Sequence, residues 1–511
     1  MRMLTGTKKK TLEPIDIHYH RFKGIKRAAK IIQSFEKDKV VLVYFDPDID
    51  GLISGYFACK FLTRLGLKFT WYINTNREHG FKLPIEKVHN INIIAVDFQM
   101  SLEEIKALVN NGNRIVSMDH HVNEDDYAYY QGNNGKSGII INNQYSLEEE
   151  SSRYLSGAGV VFECLRLFDP NFDTQENRAL VGITLLSDVR DIENRNARGY
   201  LTDLYTHKYK GYIGYLIDHT IGEKDYGFGV PRIDRNYVDY KLSPMINACL
   251  RFNKEDEVVE FILGSGKLSG VYLIKQRELV PRLLGLIHKR DYEGLYVAEI
   301  DSHDLSDEDY EVASNFIGLV ASRLLDNTHS SICYMTDLDG SLKRASFRGH
   351  INGGNYLKNL NSTGLIEGVG HEPAFGIKSL RTDDLTLWKI ARKSLEVDKE
   401  WKSCRSERDN IEYVSNLSFF TGAKGYNMGV ENIFCLAQHR RYIKYTGSNI
   451  VKRRSGANYT DYAIDGISVM CFDNTLNPKE DLILPILERG VLSLYLQKKF
   501  ESDFTDFMFD D

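Results

Sequence analysis

The sequence predicts a multidomain α/β protein: a parallel-sheet domain, a helical connector, a smaller α/β domain and a β-rich C-terminal region. Three observations carry this reading. The chain has 511 residues, more than one hydrophobic core organises, so two to four domains are expected. Short β-branched runs alternate with helically spaced apolar residues early in the chain, the pattern of a mainly parallel sheet with helices on its faces. The alternation returns past the middle, and the last stretch holds only short strand-like runs. With 42% hydrophobic residues, 27% charged residues and 10 prolines, a disordered or fibrous chain is excluded.

Taken in order, the β-branched and aromatic run within residues 38–45 is too short for a helix and reads as a strand. Residues 51–66 then place Leu52, Tyr56, Phe57, Phe61 and Leu65 at helical spacing. Strands are expected at 91–96, 114–118 and 138–142, with a helix at 102–110. Two apolar helices follow at 157–168 and 177–186, and residues 254–290 read as one longer helical region. Strands at 295–300 and 331–335 flank a helix at 313–325, ahead of the glycine-rich stretch 349–376. From about residue 383 the chain opens with a polar helix and continues into strand-like runs at 442–445, 462–464 and 468–472.

Several function classes drop out. Charged or polar residues interrupt every apolar stretch before about 18 residues, so no membrane span is expected. The basic start, residues 1–10, runs into a polar segment instead of the apolar core of a secretory signal, and a cytoplasmic protein is expected. Seven cysteines lie scattered without a CxxC spacing, which suits reduced thiols. A net charge of −6 does not exclude nucleic acid, because phosphate contact needs a local basic surface.

Four clusters of acids and histidines stand at the ends of the predicted strands of the first domain. Asp46, Asp48 and Asp50 follow the first strand in FDPDIDG; Asp97 closes INIIAVD; Asp119, His120 and His121 close RIVSMDHH; Asp188 follows VGITLLSD. In open α/β sheets the carboxyl ends of the strands form the ligand crevice, so these segments converge. Gathering that many carboxylates without cations costs several kcal/mol of repulsion and desolvation. Carboxylate oxygen mixed with imidazole nitrogen suits Mn²⁺ or Mg²⁺. The ligand count fits two ions about 3.5–4 Å apart, a pair that clamps a phosphoryl group for in-line attack by water. One strand-end Asp alone is usually a helix cap; four such clusters point to a site. A calcium loop is disfavoured, since the helical pattern restarts at Gly51 and no bidentate Glu follows.

These motifs resemble the four signatures of the DHH phosphoesterase superfamily, and further segments are similar to its RecJ-like members. LSGAGVVFECLRLF at 155–168 looks like the helix that follows the metal motifs there. PMINACLR at 244–251 is similar to their Asn-Ala/Arg segment, and NFIGLVASRL at 315–324 resembles a helix of the small DHH-associated domain. The resemblance spans residues 40–378 and implies a DHH domain at 1–253, a helical connector at 254–291, a DHH-associated substrate-binding domain at 292–382 and a C-terminal nucleic-acid- or partner-binding domain at 383–511. For that last domain an OB-like barrel is one expected form.

By the same resemblance, Asp46, Asp48, Asp50, Asp97, Asp119, His120 and Asp188 hold the metals. His121 positions water or phosphate beside Asp119 and His120. Arg348, Gly370 and His371 bind a substrate phosphate, and Asn247 and Arg251 contact substrate. Tyr44 stands where phosphatase branches carry a histidine, and Val369 and Phe375 replace small residues of the glycine-histidine loop.

The C-terminal region carries His439, Arg440, Arg441, Lys444, Lys452, Arg453 and Arg454 interleaved with Tyr442, Tyr445 and Tyr459. Basic residues with aromatic platforms suit single-stranded nucleic acid. The tail from Phe500 to Asp511 alternates phenylalanine with acid; docking on a basic partner surface and packing as a terminal helix are both open to it. The expected function is a metal-dependent nuclease degrading single-stranded DNA from the 5′ end to mononucleotides, as in DNA repair and recombination. Its expected partners are the strand itself and a single-strand-binding or replication protein. The rivals are a phosphodiesterase of short oligoribonucleotides or cyclic dinucleotides and, less favoured because every acid is retained, an inactive replication scaffold.

Overall fold

The computed structural model describes residues 22–74, 81, 83–98, 100–121, 128–144, 152–188, 195–207, 210–220, 237–326, 328–350, 355–371, 374–404, 411–414, 442–455, 460–464, 467–471, 476–479, 481–488 and 491–497. They build three sheets, with helices around the first two. The first sheet holds β1 (Val41–Phe45), β2 (Phe69–Ile73), β3 (Asn92–Val96), β4 (Arg114–Asp119), β5 (Tyr129–Gln131) and β6 (Ser137–Asn142) in the order β2-β1-β3-β4-β6-β5. All pairings are parallel except β5 on β6. The helices that matter most here are α1 (Ile25–Gln33), α2 (Ile49–Arg64), α3 (Leu102–Asn110), α4 (Gly157–Phe168) and α5 (Gln175–Ser187).

Alternation along β1 explains its unbroken apolar run. Val41, Val43 and Phe45 enter a core shared with α1, α2, α4 and α5, while Leu42 and Tyr44 enter the opposite core with Ile105, Leu108 and Val109 of α3. A strand covered on both faces needs apolar residues at every position. Tyr44 is fully buried and packs on Tyr72, Phe81 and Phe98 at centroid distances of 5.2, 4.9 and 4.6 Å. The strand order reverses between β1 and β3, which opens a crevice at their carboxyl ends. The sequence pattern does not reveal β2 and β5, both edge strands with few fully buried residues.

The single helical region expected at 254–290 is two helices, Glu255–Ile262 and Val271–Leu286. The first ends at a turn in which Gly264 takes φ 85°, a left-handed conformation that suits glycine. The region closes in a strand, β7 (His288–Tyr292), where the sequence predicts helix. Every residue of this short polar edge strand is exposed or half-buried, so it leaves no apolar alternation to mark it as a strand.

The second sheet continues with β8 (Leu295–Ile300), β9 (Ser330–Thr336), β10 (Leu342–Arg348), β11 (Ile366–His371) and β12 (Ala374–Leu380), ordered β11-β12-β10-β9-β8-β7. The helix expected at 313–325 is broken by a tight turn, Ser314–Phe316, between Asp307–Ala313 and Ile317–Leu324. Those pieces and Val271–Leu286 cover one face. The helix Asp384–Cys404, expected from sequence to open the C-terminal region, packs Leu387, Ile390, Ala391 and Val397 into the core on the other face.

The third sheet holds β13 (Ile411–Val414), β14 (Tyr442–Tyr445), β15 (Ile450–Ser455), β16 (Thr460–Ile464), β17 (Ile467–Cys471), β18 (Leu482–Glu488) and β19 (Val491–Gln497), ordered β13-β14-β18-β19-β17-β16-β15. The C-terminal region is thus β-rich as expected. Among the described residues its seven strands form an open ladder, with no pairing that closes β13 on β15. No described helix is long and apolar enough to cross a membrane. Cys59, Cys164, Cys249, Cys333 and Cys471 are free and buried.

Candidate metal centre

The site is built where β3 and β4 end. Asp119 is the last residue of β4; its buried Oδ1 accepts the backbone N–H of His120 at 2.7 Å and lies 2.8 Å from His121 Nδ1. That contact requires a proton on Nδ1 and so orients the ring. Asn142 sits opposite Asp119 on β6 and donates from Nδ2 to the His121 carbonyl at 2.7 Å, which fixes the turn of the histidine pair. Asp97 directly follows β3 at φ 52°, a left-handed conformation that Asp tolerates better than most residues.

Two helices deliver the remaining groups. Asp50 lies in the first turn of α2, and its carboxylate accepts N–H bonds from Gly157 at 2.6 Å and Ala158 at 2.9 Å in the first turn of α4. Asp188 caps the carboxyl end of the helix α5, not the strand end expected from sequence, because the apolar run before it is helical. His120 is the hub: Nε2 is 3.2 Å from Asp97 Oδ1 and 3.7 Å from Asp50 Oδ2, and Nδ1 is 3.8 Å from Asp188 Oδ2. The result is two overlapping donor sets, Asp97, Asp119, His120 and His121 in one and Asp50, His120 and Asp188 in the other. Within each set the donor atoms lie within 4.8 Å of one another.

Electrostatics show what such a cluster lacks. Burial, followed by the charge of Asp48, pushes the Asp50 carboxyl up to about 6. Burial also holds Asp97 well above the usual carboxylate range, reinforced by Asp50, Asp48, Asp119 and Asp46. For His121 burial opposes the charged form, yet Asp119, Asp46 and Asp188 override it and push the imidazolium up to about 10. Asp97 Oδ1 is buried and makes no hydrogen bond. A buried carboxylate oxygen that makes no hydrogen bond, among further carboxylates and imidazole, fits a divalent cation of the Mn²⁺ or Mg²⁺ type.

The other residues singled out from sequence fall in several places. Asp46 follows β1 half-buried beside the cluster, and Asp48 is exposed, capping α2 by accepting the Gly51 N–H at 2.9 Å. Both lie outside the two donor sets, although their charges reach Asp97. Arg348, on β10, donates to Ser322 Oγ at 3.2 Å and to the Phe347 carbonyl at 2.7 Å, contacts within the second sheet and its helix. Gly370, at φ 136°, and His371 close β11 opposite Phe375 and Ala374. The departure at Phe375 is a core residue, stacked on Phe347 at 4.8 Å.

Asn247 is half-buried in the helix Ser243–Arg251. Arg251 donates to Gln276 Oε1 at 2.8 Å and lies over the Phe316 ring at 5.9 Å. Of the C-terminal cluster, Lys452 and Arg453 are exposed on β15, and Lys444 is half-buried and donates to the Lys479 carbonyl. Tyr445 is 3% exposed and belongs to the sheet's core, so it is not a stacking platform; alternation along β14 turns it inward. His439, Arg440, Arg441, Tyr459 and the tail from Phe500 to Asp511 lie outside the described residues. Sequence reasoning missed Asn142, Asn143 and Gly157. Their only signal was position: an Asn pair at a strand end and a glycine at a helix start.

Comparison with known proteins follows the same lines. Residues 40–186 match the model of the DHH family, N-terminal domain. The chain is similar to RecJ in complex with Mn²⁺ from Thermus thermophilus, at 17% identity and TM-score 0.63 over 96% of this chain and 73% of that one. The Mg²⁺ complex of RecJ from the same organism gives 16% and 0.56 over 96% and 72%. Exonuclease RecJ bound to manganese gives 18% and 0.51 over 76% and 96%. No curated protein matches the chain. Residues 40–186 are therefore a DHH-family domain, carried in a chain with the fold of RecJ.

Proposed function

We propose that this chain is a divalent-metal-dependent phosphodiesterase that shortens single-stranded DNA from the 5′ end and releases mononucleotides. The observation that carries the reading is the pair of buried donor sets sharing His120, placed at the strand-order reversal of a DHH-family domain. Asp50, Asp97, Asp119, His120 and Asp188 would hold two Mn²⁺ or Mg²⁺ ions, with Asp46 and Asp48 at the rim. Bound there, the ions polarise the phosphate and lower the pKa of water.

The side chains do the positioning. Asp119 holds His121 by Nδ1 before substrate arrives, so the ring meets a phosphate oxygen or the attacking water in a set orientation. Arg348 supplies a planar guanidinium, and Gly370 with His371 a strand-end backbone, for the phosphate of the terminal nucleotide. Asn247 and Arg251 line the path of the strand. Lys452 and Arg453, exposed on the third sheet, meet phosphates further along. The partners that follow are single-stranded DNA and a protein that coats it during replication or repair.

A product assay with Mn²⁺ tests the reading, comparing 5′-labelled and 3′-labelled single-stranded DNA, duplex DNA, single-stranded RNA and dinucleotides. Immediate release of labelled mononucleotide from 5′-labelled single-stranded DNA is expected. Cleavage confined to dinucleotides or short RNA would transfer the protein to small substrates and make the third sheet a partner-binding module. Asp119→Asn is expected to abolish turnover while strand binding, measured by fluorescence anisotropy, stays within about threefold; a fully active variant would refute the metal assignment.

A further inference from the structure

The first turn of α4 touches the donor sets twice. Its N–H groups at Gly157 and Ala158 bind the two oxygens of Asp50. On the same turn, a Cβ built on Gly157 would lie 2.1 Å from Asp97 Oδ1, 2.5 Å from its Cγ and 2.6 Å from its Cβ. Rotating the Asp97 side chain cannot clear a contact with its own Cβ, and the Asp97 backbone is held in the left-handed region directly after β3. A side chain at 157 would therefore displace either Asp97 or the helix.

The turn is anchored from behind. Ser156 caps α4, its Oγ accepting the Gly159 N–H at 3.3 Å and pairing with Thr184 Oγ1 of α5 at 2.8 Å. Asn143 donates from Nδ2 to the carbonyls of Ser152 and Leu155 at 2.9 and 3.3 Å, which fixes the approach to the helix. A helix start seated this firmly leaves Asp97 as the member that yields. Asp97 Oδ1, buried and without a hydrogen bond, is also the atom nearest the missing side chain.

We propose that Gly157 is a positioning residue of the metal centre: its lack of a side chain lets one helical turn grip Asp50 through backbone N–H groups while Asp97 stays directed at His120. The proposal rests on the metal-binding reading above. It deepens that reading by naming a residue that touches no ion yet sets where two ligands stand.

The test is Mn²⁺ affinity of the full chain, read by electron paramagnetic resonance titration, with metal-free melting as the control for folding. Gly157→Ala is expected to weaken Mn²⁺ binding about 10–100-fold, the range for residues that orient ligands. Asp97→Gly removes the three atoms nearest the new Cβ, so adding Gly157→Ala in that background is expected to change affinity by less than about threefold. Should Gly157→Ala alone fail to fold, the double variant is expected to fold, because the clash is gone. Wild-type affinity in Gly157→Ala, an equal further loss in the Asp97→Gly background, or a double variant that does not fold would each overturn the proposal. A wild-type chain that binds no Mn²⁺ would instead refute the metal reading on which it stands.

Discussion

Asp97 concentrates the cost of the site in one side chain. In the metal-free protein its carboxyl is held well above its usual range and that of Asp50 is pushed up to about 6, burial being the first cause of both. Between the ordinary carboxylate value of 3.8 and these raised values, the folded protein keeps protons that the unfolded chain has released. Stability therefore falls as pH rises through that window, and at neutral pH the charged cluster works against folding. Asp97→Asn is expected to raise the melting temperature of the metal-free protein at about pH 7.5, with the advantage shrinking by about pH 5. Excess Mn²⁺ should reverse the order, because only the wild type has the full ligand set. Melting curves with chelator and with Mn²⁺ at both pH values check this, and a metal-free variant less stable than wild type at neutral pH would contradict it.

At the scale of elements, α4 does two jobs along its length. Its first turn grips Asp50, and its later turns hold a buried charge network. Arg166 is 1% exposed and donates to Glu163 Oε2 from Nε at 3.0 Å and from Nη2 at 2.8 Å, with Asp173 at 3.3 Å from Nη1. Tyr200, from the helix Arg195–Thr206, donates its hydroxyl to the other oxygen of Glu163. Removing one partner of such a network strands a buried charge. Arg166→Ala is expected to destabilise by about 3–5 kcal/mol, and Glu163→Gln in the same chain should restore part of the loss. Urea denaturation measures both; a loss below about 1 kcal/mol would show that the network behaves as an exposed pair. The elements themselves were largely legible. β4, α3 and α4 fall within a residue or two of their expected bounds, because each has a one-sided or two-sided apolar pattern that local spacing reports. The edge strands β2, β5 and β7 were lost because partial exposure removes that pattern.

For the whole molecule, the second sheet seats Arg348 by its own contacts. Gly318 leaves room for Arg348, whose Nη2 would lie 2.3 Å from a Cβ there, and Ser322 on the same helix accepts from its Nε. The hydrogen bonds that seat Arg348, to Ser322 and to the Phe347 carbonyl, involve none of the donor-set residues, so under the proposed function its loss would fall on substrate phosphate binding. Arg348→Ala is accordingly expected to raise KM for single-stranded DNA about tenfold or more, while Mn²⁺ affinity stays within about twofold of wild type. Steady-state kinetics beside a metal titration separate the two; equal losses in both would place Arg348 in the metal centre.

The sequence by itself determined which chemistry is present: acids and histidines at successive strand ends, the parallel alternation that sends those ends to one edge, and the motif order that resembles the DHH superfamily. Asp50, Asp97, Asp119, His120 and Asp188 were all named from it. Only the tertiary structure decided their roles relative to one another. Asp48 and Asp50 are two residues apart, yet the start of α2 turns one outward as a helix cap and the other inward toward α4, since successive helical residues point about 100° apart. In the C-terminal cluster the fold likewise decides, Tyr445 being spent on a core. Gly157, Asn142 and Asn143 carry no chemistry that a sequence can advertise. Their importance comes from contacts made across segments distant in sequence, between a missing Cβ and a carboxylate or between an amide and a carbonyl, which exist only once the chain has folded.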